Sequence, residues 1–276
     1  MNNGNNTTAD IELIKNKARW VWRQTLMIHG RAPETRIASS LSPIEVLTVL
    51  FYGGFLRFDP ANLSWEKRDR FIVSKGHGAI SLYAILSDLG FFSSKELDSV
   101  CKTGSFLGGI PDPIVPGFET VNGSLGHGPG VGCGMALGLK RKQSDNRVFV
   151  VTGDGELHEG AVWEAIMFAG HHKLNNMIMI VDNNTKCMLG ETENVINLFP
   201  LAPKFESFGW FVKEVPGHDV AAVFAGLEEC CGSSIMRPRV LIANTIKGHG
   251  VPSLENDPIC HVKSLGQNEI NKLLGE

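Results

Sequence analysis

Three short, uninterrupted apolar runs most constrain what this chain can fold into. They occupy residues 148–151 (VFVV), 177–181 (MIMIV) and 240–243 (VLIA) of the 276-residue sequence. Half-exposed strands alternate apolar and polar residues, whereas strands covered on both faces are apolar throughout. Helical patterns at 161–171 and 220–230 separate the three runs. This alternation of strand and helix predicts an α/β fold, in which a central parallel sheet carries helices on both faces.

The first hundred residues continue the same pattern. Apolar residues at helical spacing predict a helix over residues 10–29, with Asp10 as its N-terminal cap. Ser42-Pro43 predicts the start of a second helix that continues through IEVLTVLFY. A short buried strand is predicted at 70–73 and a helix at 79–89.

The middle of the chain contains a long irregular segment. Residues 103–130 hold eight glycines and four prolines, and a loop of this length inside a domain is usually functional or disordered. A helix rich in small residues is predicted at 131–142, where it can pack closely against a neighbour. Nothing else divides the chain, so we predict a flexible tail at 1–9 and a single domain over 10–276.

The composition excludes several classes of function. A net charge of -3 and a pI near 6.3 provide no basic field for nucleic acid and no polybasic membrane anchor. No apolar run approaches the roughly 18 residues of a membrane span, and the first residues do not resemble a signal peptide. Six cysteines without a CxxC pair are typical of reduced thiols. We therefore expect a cytoplasmic protein without nucleic-acid or membrane partners.

A glycine-flanked acid follows the first apolar run. Gly153-Asp154-Gly155-Glu156 lies where a strand of an open α/β sheet gives way to a helix, which is where such sheets bind ligands. Glycines allow the backbone to approach a ligand closely, and the N-terminus of the next helix favours phosphate groups. Asp154 adds a carboxylate of the kind that Mg²⁺ prefers.

A second polar group follows the next strand. Asp182-Asn183-Asn184 ends the run at 177–181, 28 residues beyond the Gly-Asp-Gly turn. Because adjacent parallel strands end at the same edge of a sheet, a carboxylate, an amide oxygen and a carbonyl from the turn could bind one metal ion. The paired motif is far more specific than either half.

Four further segments resemble the N-terminal part of transketolases, in the family's order and with similar spacing. The resemblance extends from about residue 20 to the C-terminus. The segments are SKGHGAISLYAIL (74–86), GSLGHGPGVGCGMALG (123–138), GDGELHEGAVWEA (153–165) and IKGHG (246–250) followed by END and a histidine. The resemblance implies a three-layer fold that binds thiamine diphosphate together with Mg²⁺ or another divalent cation such as Ca²⁺.

Matched position by position, the resemblance implies a set of site residues. The metal ligands would be Asp154, Asn184 and the carbonyl of Lys186. The catalytic candidates would be His77, His261 and Glu159, of which Glu159 would link two cofactor sites across a subunit interface. The cofactor contacts would be His77, Gly123, Leu125, Gly153, Asp154, Gly155, Glu156, Asn184 and His261.

Three of these residues also have simpler explanations. His77 could cap a helix, and His261 lies in a polar segment where a solvated histidine is the usual case. Glu159 could interact only with the dipole of the helix that follows it.

Thiamine catalysis also requires a glutamate that protonates the aminopyrimidine ring of the cofactor. In transketolases this glutamate belongs to the second, pyrimidine-binding domain, which the sequence up to Glu276 does not resemble. We therefore expect a complementary C-terminal subunit to provide it. Family symmetry implies a heterotetramer with two copies of each chain (α₂β₂).

Two positions depart from the transketolase pattern. Histidines of the family that resemble substrate-binding residues fall here on Arg36 and Ile110. Isoleucine cannot form hydrogen bonds, so it would favour a methyl group, as in an acetyl unit, over a hydroxyl group. Arginine would suit a carboxylate or a phosphate. We therefore predict transfer of a two-carbon ketol or acetyl unit from a ketose or 2-oxo acid to an aldehyde or ketone.

Two alternatives remain open at this point. The chain could be the E1 α subunit of a 2-oxo acid dehydrogenase, which also carries a GDG…N site. It could also be a non-catalytic subunit that has kept the fold, since two histidines of the family are replaced.

Overall fold

A wholly parallel, five-stranded sheet forms the middle layer of the chain. The computed structural model describes residues 10–232 and 234–275. Its strands are β1 (Arg70–Val73), β2 (Val148–Gly153), β3 (Met177–Asn183), the short hairpin β4 (Lys186–Cys187) and β5 (Gly190–Glu191), β6 (Phe211–Pro216) and β7 (Arg239–Asn244). The main sheet has the order β1-β2-β3-β7-β6, and every neighbouring pair is parallel. The predicted parallel sheet is confirmed.

Helices connect and cover the strands. They are α1 (Ile11–Arg31), α2 (Ile37–Leu41), α3 (Ile44–Tyr52), α4 (Ile80–Asp88), α5 (His127–Arg141), α6 (Gly160–His171), α7 (Thr192–Val195), α8 (Ala202–Ser207), α9 (Val220–Cys230), α10 (Pro252–Glu255) and α11 (Gln267–Leu274). Short 3₁₀ turns lie at Gly76–Gly78, Ser94–Ser99, Gly155–His158 and Cys260–Val262. Asp10 caps α1 as predicted, because its carboxylate accepts hydrogen bonds from the second and third residues beyond it.

Two separate hydrophobic cores confirm the three layers. Successive side chains of a strand point to opposite faces of the sheet. Phe149 and Val151 of β2 therefore join the core formed with α1, α3, α4 and α9. Val148 and Val150 join the core formed with α5, α6 and α8. Because both faces of the central strands are buried, these strands are apolar at every position.

The start of α5 differs from the prediction. The helix begins at His127, so the irregular segment ends four residues earlier than residue 130. Gly126 has a φ of 86°, which turns the chain into the helix. Pro129 lies in the first turn of α5, where its missing N–H leaves no hydrogen bond unmade.

Close packing of α5 holds at only part of its small residues. A Cβ at Gly132 would lie 2.6 Å from the Val150 side chain, so this glycine lets the helix lie directly on β2. A Cβ at Gly134 or Gly138 would meet no atom within 4 Å. The prediction of close packing is therefore wrong for these two residues, which face away from the sheet.

Other expectations concern the chain as a whole. The flexible tail predicted at 1–9 lies outside the described residues. All six cysteines are free thiols, as predicted. In the part of the chain that the structure describes, no helix is both long and apolar enough to cross a membrane.

Candidate active site

The segments that follow β1, β2, β3 and β7 meet at the carboxyl edge of the sheet and enclose a cavity of about 530 Å³. Every position predicted to act in catalysis or to contact the cofactor or metal lines this one cavity. These positions are His77, Gly123, Leu125, Gly153, Asp154, Gly155, Glu156, Glu159, Asn184, Lys186 and His261. Segments that are far apart in the sequence thus converge on a single space.

Asp154 lies at the floor of the cavity. Gly153 at the end of β2 pairs with Asp182 of β3, so the two strand ends lie side by side. The Asp154 carboxylate accepts hydrogen bonds from the backbone N–H groups of Gly155 (2.9 Å) and Thr185 (2.6 Å). Burial, together with the charge of Asp182, raises the pKa of Asp154 to about 6. A divalent cation would offset both of these effects.

Asn184 and Lys186 provide the other two oxygen atoms that were predicted as ligands. The buried Asn184 donates from Nδ2 to the Asp182 carboxylate (2.9 Å), which fixes the orientation of the amide group. The Lys186 carbonyl faces the same cavity and accepts a hydrogen bond from Lys247 Nζ (2.9 Å). A carboxylate, an amide and a carbonyl are the hard oxygen donors that Mg²⁺ prefers, so the residues present fit this ion.

Asp182 links the strand ends beneath the cavity. Its fully buried carboxylate pairs with Lys75 and accepts hydrogen bonds from Ser42 (2.6 Å), Asn184 and Thr245. Burial by itself would raise the pKa of Asp182, but Lys75 and the hydroxyl donors hold it below its usual value. The network joins four segments of the chain through one side chain.

His77 and His261 lie together on the wall, with ring centroids 4.9 Å apart. Burial and the neighbouring charge of Lys75 lower the pKa of His77 to about 2. Burial and the charge of Lys247 lower the pKa of His261 to about 3. Both rings are therefore neutral at neutral pH. Among the described residues, buried Nδ1 of His261 has no hydrogen-bond partner, which is consistent with a ligand that belongs in the cavity.

Sequence reasoning missed two buried lysines of this site. Lys75 and Lys247 are only 2% and 3% exposed and both line the cavity. Burial and the charge of Lys75 lower the pKa of Lys247 to about 8. Lysine is normally a surface residue, so neither was considered. The repeated KGHG motif, which follows β1 and again follows β7, was the available signal. Buried cations with two neutral histidines favour an anionic ligand such as a diphosphate.

Glu156 lines the cavity, but its carboxylate is already engaged by the protein. It accepts hydrogen bonds from the backbone N–H groups of Gly126 (2.8 Å) and Gly153 (3.3 Å), and from the Ser74 hydroxyl. It therefore ties the segment that carries Gly123 and Leu125 to the turn after β2. Its predicted contact with the cofactor remains a prediction.

Glu159 precedes α6 and is exposed at the cavity wall. Its carboxylate makes no hydrogen bond to the start of this helix, so the structure gives no support to a capping role.

Arg36 and Ile110 border the cavity but do not line it. Ile110 is half-exposed, with side-chain atoms 3.9 Å from the point where a Cβ of Gly123 would lie. Arg36 is exposed at the start of α2, and its charge contributes to the lowered pKa of His261. Both residues therefore lie near the cavity entrance, on segments separate from the metal ligands.

Comparison with known proteins agrees with this geometry. The family model described as "Transketolase, thiamine diphosphate binding domain" matches residues 36–275. The chain therefore belongs to the transketolase family of transferases, of which it carries the thiamine diphosphate-binding domain. This assignment decides against the E1 α alternative.

Particular relatives narrow the assignment. A subunit of the apulose-4-phosphate transketolase of Actinobacillus succinogenes is 36% identical over 95% of this chain and 95% of the relative. The 6-deoxy-6-sulfo-D-fructose transketolase subunit SqwG of a Clostridium species is 34% identical over 90% of both. The crystal structure of Campylobacter jejuni transketolase superimposes with a TM-score of 0.89 at 28% identity. It matches 96% of this chain, which spans only 42% of that enzyme. The chain thus resembles one subunit of split, two-chain transketolases.

Proposed function

We propose that this chain is the diphosphate-binding subunit of a two-chain, transketolase-like transferase in the cytoplasm. It acts with a complementary subunit to transfer a two-carbon unit from a ketose or 2-oxo acid to an aldehyde or ketone. The observation that carries the proposal is the convergence of Asp154, Asn184, Lys186, His77 and His261 on one cavity. The six free cysteines fit a reducing compartment.

The chain's own residues would bind and orient the cofactor. Asp154, Asn184 and the Lys186 carbonyl would hold Mg²⁺ or Ca²⁺, while Lys247 and His77 would face the diphosphate. When bound, thiamine diphosphate supplies the carbanion stabilisation that lets a carbon–carbon bond beside a carbonyl break and form. Because burial keeps His77 and His261 neutral, each ring can offer one N–H donor and one nitrogen acceptor to a ligand.

Catalysis would also require a carboxylic acid beside the aminopyrimidine ring. Asp154 is committed to the metal and Glu156 to the segment at Gly126, so neither of these cavity carboxylates is free for that role. We propose that the partner subunit supplies the glutamate. Exposed Glu159 would connect the two cofactor sites of a heterotetramer with two copies of each chain.

Exposed apolar side chains around the cavity support a partner at this surface. Met188 and Leu189 lie on the turn between β4 and β5 at the cavity edge, and they are 65% and 75% exposed. Ile196 also lines the cavity and is half-exposed, and exposed Ile259 and Val262 flank His261 in the chain. Clustered, exposed apolar groups rimmed by polar residues mark interaction surfaces. A partner covering this mouth would also exclude water from the cavity.

The entrance residues suggest the substrate class. An apolar Ile110 beside Gly123 would favour a donor with a methyl group at that end, and Arg36 beside His261 would suit a phosphate or carboxylate. The relatives are named for substrates other than ordinary pentose phosphates, which is consistent with a specialised substrate here.

Initial rates of the reconstituted enzyme test the proposal. Pyruvate and xylulose 5-phosphate would be compared as donors to one acceptor, with thiamine diphosphate and Mg²⁺ present. Faster use of pyruvate supports acetyl transfer, whereas faster use of xylulose 5-phosphate supports ketol transfer and excludes the acetyl version. Turnover of neither donor, together with no binding of cofactor, would instead indicate a non-catalytic subunit.

The variant Ile110→His tests the role of the entrance. It should shift the donor preference towards the ketose by about tenfold, the equivalent of ~1.4 kcal/mol. The matched control is Ile114→His, because Ile114 is 68% exposed in the same segment and does not line the cavity.

A further inference from the structure

A histidine outside the cavity holds the segment that carries Lys247. The backbone N–H of Ile246 donates to Nε2 of His218, in the turn after β6, over 2.8 Å. His218 Nδ1 lies 2.9 Å from the Glu45 carboxylate, in the first turn of α3. Because Nε2 accepts a backbone N–H, the neutral ring carries its proton on Nδ1 and donates it to Glu45. One imidazole thus connects α3 with the chain after β7.

The glycine before His218 allows this close approach. Gly217 N–H donates to the Asn244 carbonyl over 2.7 Å. A Cβ at position 217 would lie 2.4 Å from the Thr245 side chain and 3.0 Å from that same carbonyl. Any larger residue would therefore push the turn away from the segment after β7.

The neighbours of Ile246 on both sides belong to the candidate site. Thr245 donates its hydroxyl to Asp182, and Lys247 donates to the Lys186 carbonyl at the cavity. Backbone bonds of Thr245 to Asn183 and of Gly248 to Ala38 hold the segment at its two ends, each at 3.0 Å. Between these points, the amide of Ile246 bonds to a side chain instead of the backbone.

We infer that His218 is a positioning residue for the diphosphate side of the cofactor site. Through the Ile246 amide it fixes the segment that aims Lys247 and Thr245 at the cavity. This inference rests on the proposed function, because it assumes that Lys247 faces a bound diphosphate. Residues that orient binding groups from behind typically change affinity by about 10- to 100-fold when they are lost.

A metal-binding role for the same histidine is disfavoured by its hydrogen bonds. Glu45, His218 and His249 present possible ligand atoms within 4.8 Å of one another, and the two imidazole rings stack at 3.6 Å. Binding a cation through Nδ1 would move the His218 proton to Nε2, against the Ile246 N–H. The geometry therefore favours a role in positioning.

Two amide variants separate the two hydrogen bonds of His218. In His218→Gln, the side-chain amide reaches the place of Nε2 and can accept from Ile246. In His218→Asn, the amide reaches only the place of Nδ1 and can keep only the bond to Glu45. The two measurements are calorimetric affinity for thiamine diphosphate with Mg²⁺, made on the full chain with its partner, and hydrogen exchange of the Ile246 amide.

Rescue by glutamine is the expected result. His218→Asn should weaken cofactor binding by about 10- to 100-fold and speed exchange at Ile246 by at least about tenfold, while His218→Gln stays within about threefold of the natural protein in both. In turnover, the asparagine variant should raise the apparent KM for the cofactor more than it lowers kcat. Equal affinity of the asparagine variant and the natural protein would overturn the inference, as would equal loss in both variants.

Failure of the proposed function would look different. In that case the natural protein itself would not bind the cofactor. Exchange at Ile246 would still judge the positioning role, because equal exchange in the natural protein and His218→Asn would overturn it.

Discussion

Buried charge at the carboxyl edge of the sheet is matched only in part by the chain itself. Lys75 pairs with Asp182, whereas Lys247 reaches a carbonyl and has no carboxylate within 4 Å among the described residues. The carboxylate of Asp154 is buried at the same place with a raised pKa. A divalent cation beside Asp154 and a diphosphate beside Lys247 would stabilise both groups. At the scale of single residues, the site is therefore built for a ligand that carries both charges.

His29 gives a pH-dependent prediction away from the site. Its ring is fully buried, and Nε2 accepts the Leu265 N–H over 3.1 Å. Burial lowers the pKa of His29 to about 4, whereas the unfolded chain titrates near 6.5. Below pH 6.5 the unfolded state binds the proton first, so the free energy of unfolding falls as the pH drops towards 4. Between pH 7 and 5 this loss should be about 2 kcal/mol.

Urea unfolding at pH 7 and pH 5 measures this loss. The control is His29→Gln, which lacks the titrating group. It should lose about 2 kcal/mol less than the natural protein over that interval, even if it is less stable at pH 7. The lowered pKa values of His77 and His261 act in the same direction in both proteins and cancel in the comparison. Identical losses in both proteins would show that His29 is not responsible.

Elements with strong apolar patterns were predictable, and those with mixed patterns were not. β1 and α9 have their predicted bounds, and the three central strands were found because both of their faces are buried. β6 was missed because it lies at the edge of the sheet, where polar Lys213 and Glu214 are accommodated. The first turn of α5 was missed because its glycines and Pro129 are also typical of loops.

The candidate site divides in a similar way. The metal ligands and histidines follow motifs next to predicted strands, so they could be proposed from the sequence. The buried lysines and the hydrogen bonds of His218 could not, because their roles depend on which segments meet in space. The engaged carboxylate of Glu156 likewise depends on its contacts with Ser74 and Gly126.

Helix α5 supports a matched test of element packing. Gly132→Ala should lower the free energy of unfolding by about 1–3 kcal/mol, because the added methyl group would overlap Val150. Gly134→Ala, on the open face of the same helix, should raise it by about 0.5–1 kcal/mol through helix propensity. Chemical unfolding of the full chain measures both values. A similar effect of the two substitutions would contradict the described position of α5 on β2.

On the scale of the whole molecule, the sheet places its ligand-binding edge and an apolar rim on the same side. Leu189→Asp should weaken binding to the partner subunit by about tenfold or more, because it puts a charge into the proposed interface. The control is Met236→Asp, which changes a 67% exposed residue that does not line the cavity. Analytical ultracentrifugation or surface plasmon resonance gives the affinities. Equal effects of the two variants would exclude the rim as the interface.

The central claim is that this chain binds thiamine diphosphate through a divalent cation held by Asp154. Calorimetric titration of the chain with its partner, in Mg²⁺ and in EDTA, tests it most directly. Binding should require the cation, and Asp154→Asn should weaken it by at least about 100-fold, while Asp145→Asn, an exposed aspartate that does not line this cavity, leaves it unchanged. Binding of equal strength in EDTA, or in Asp154→Asn, would contradict the account.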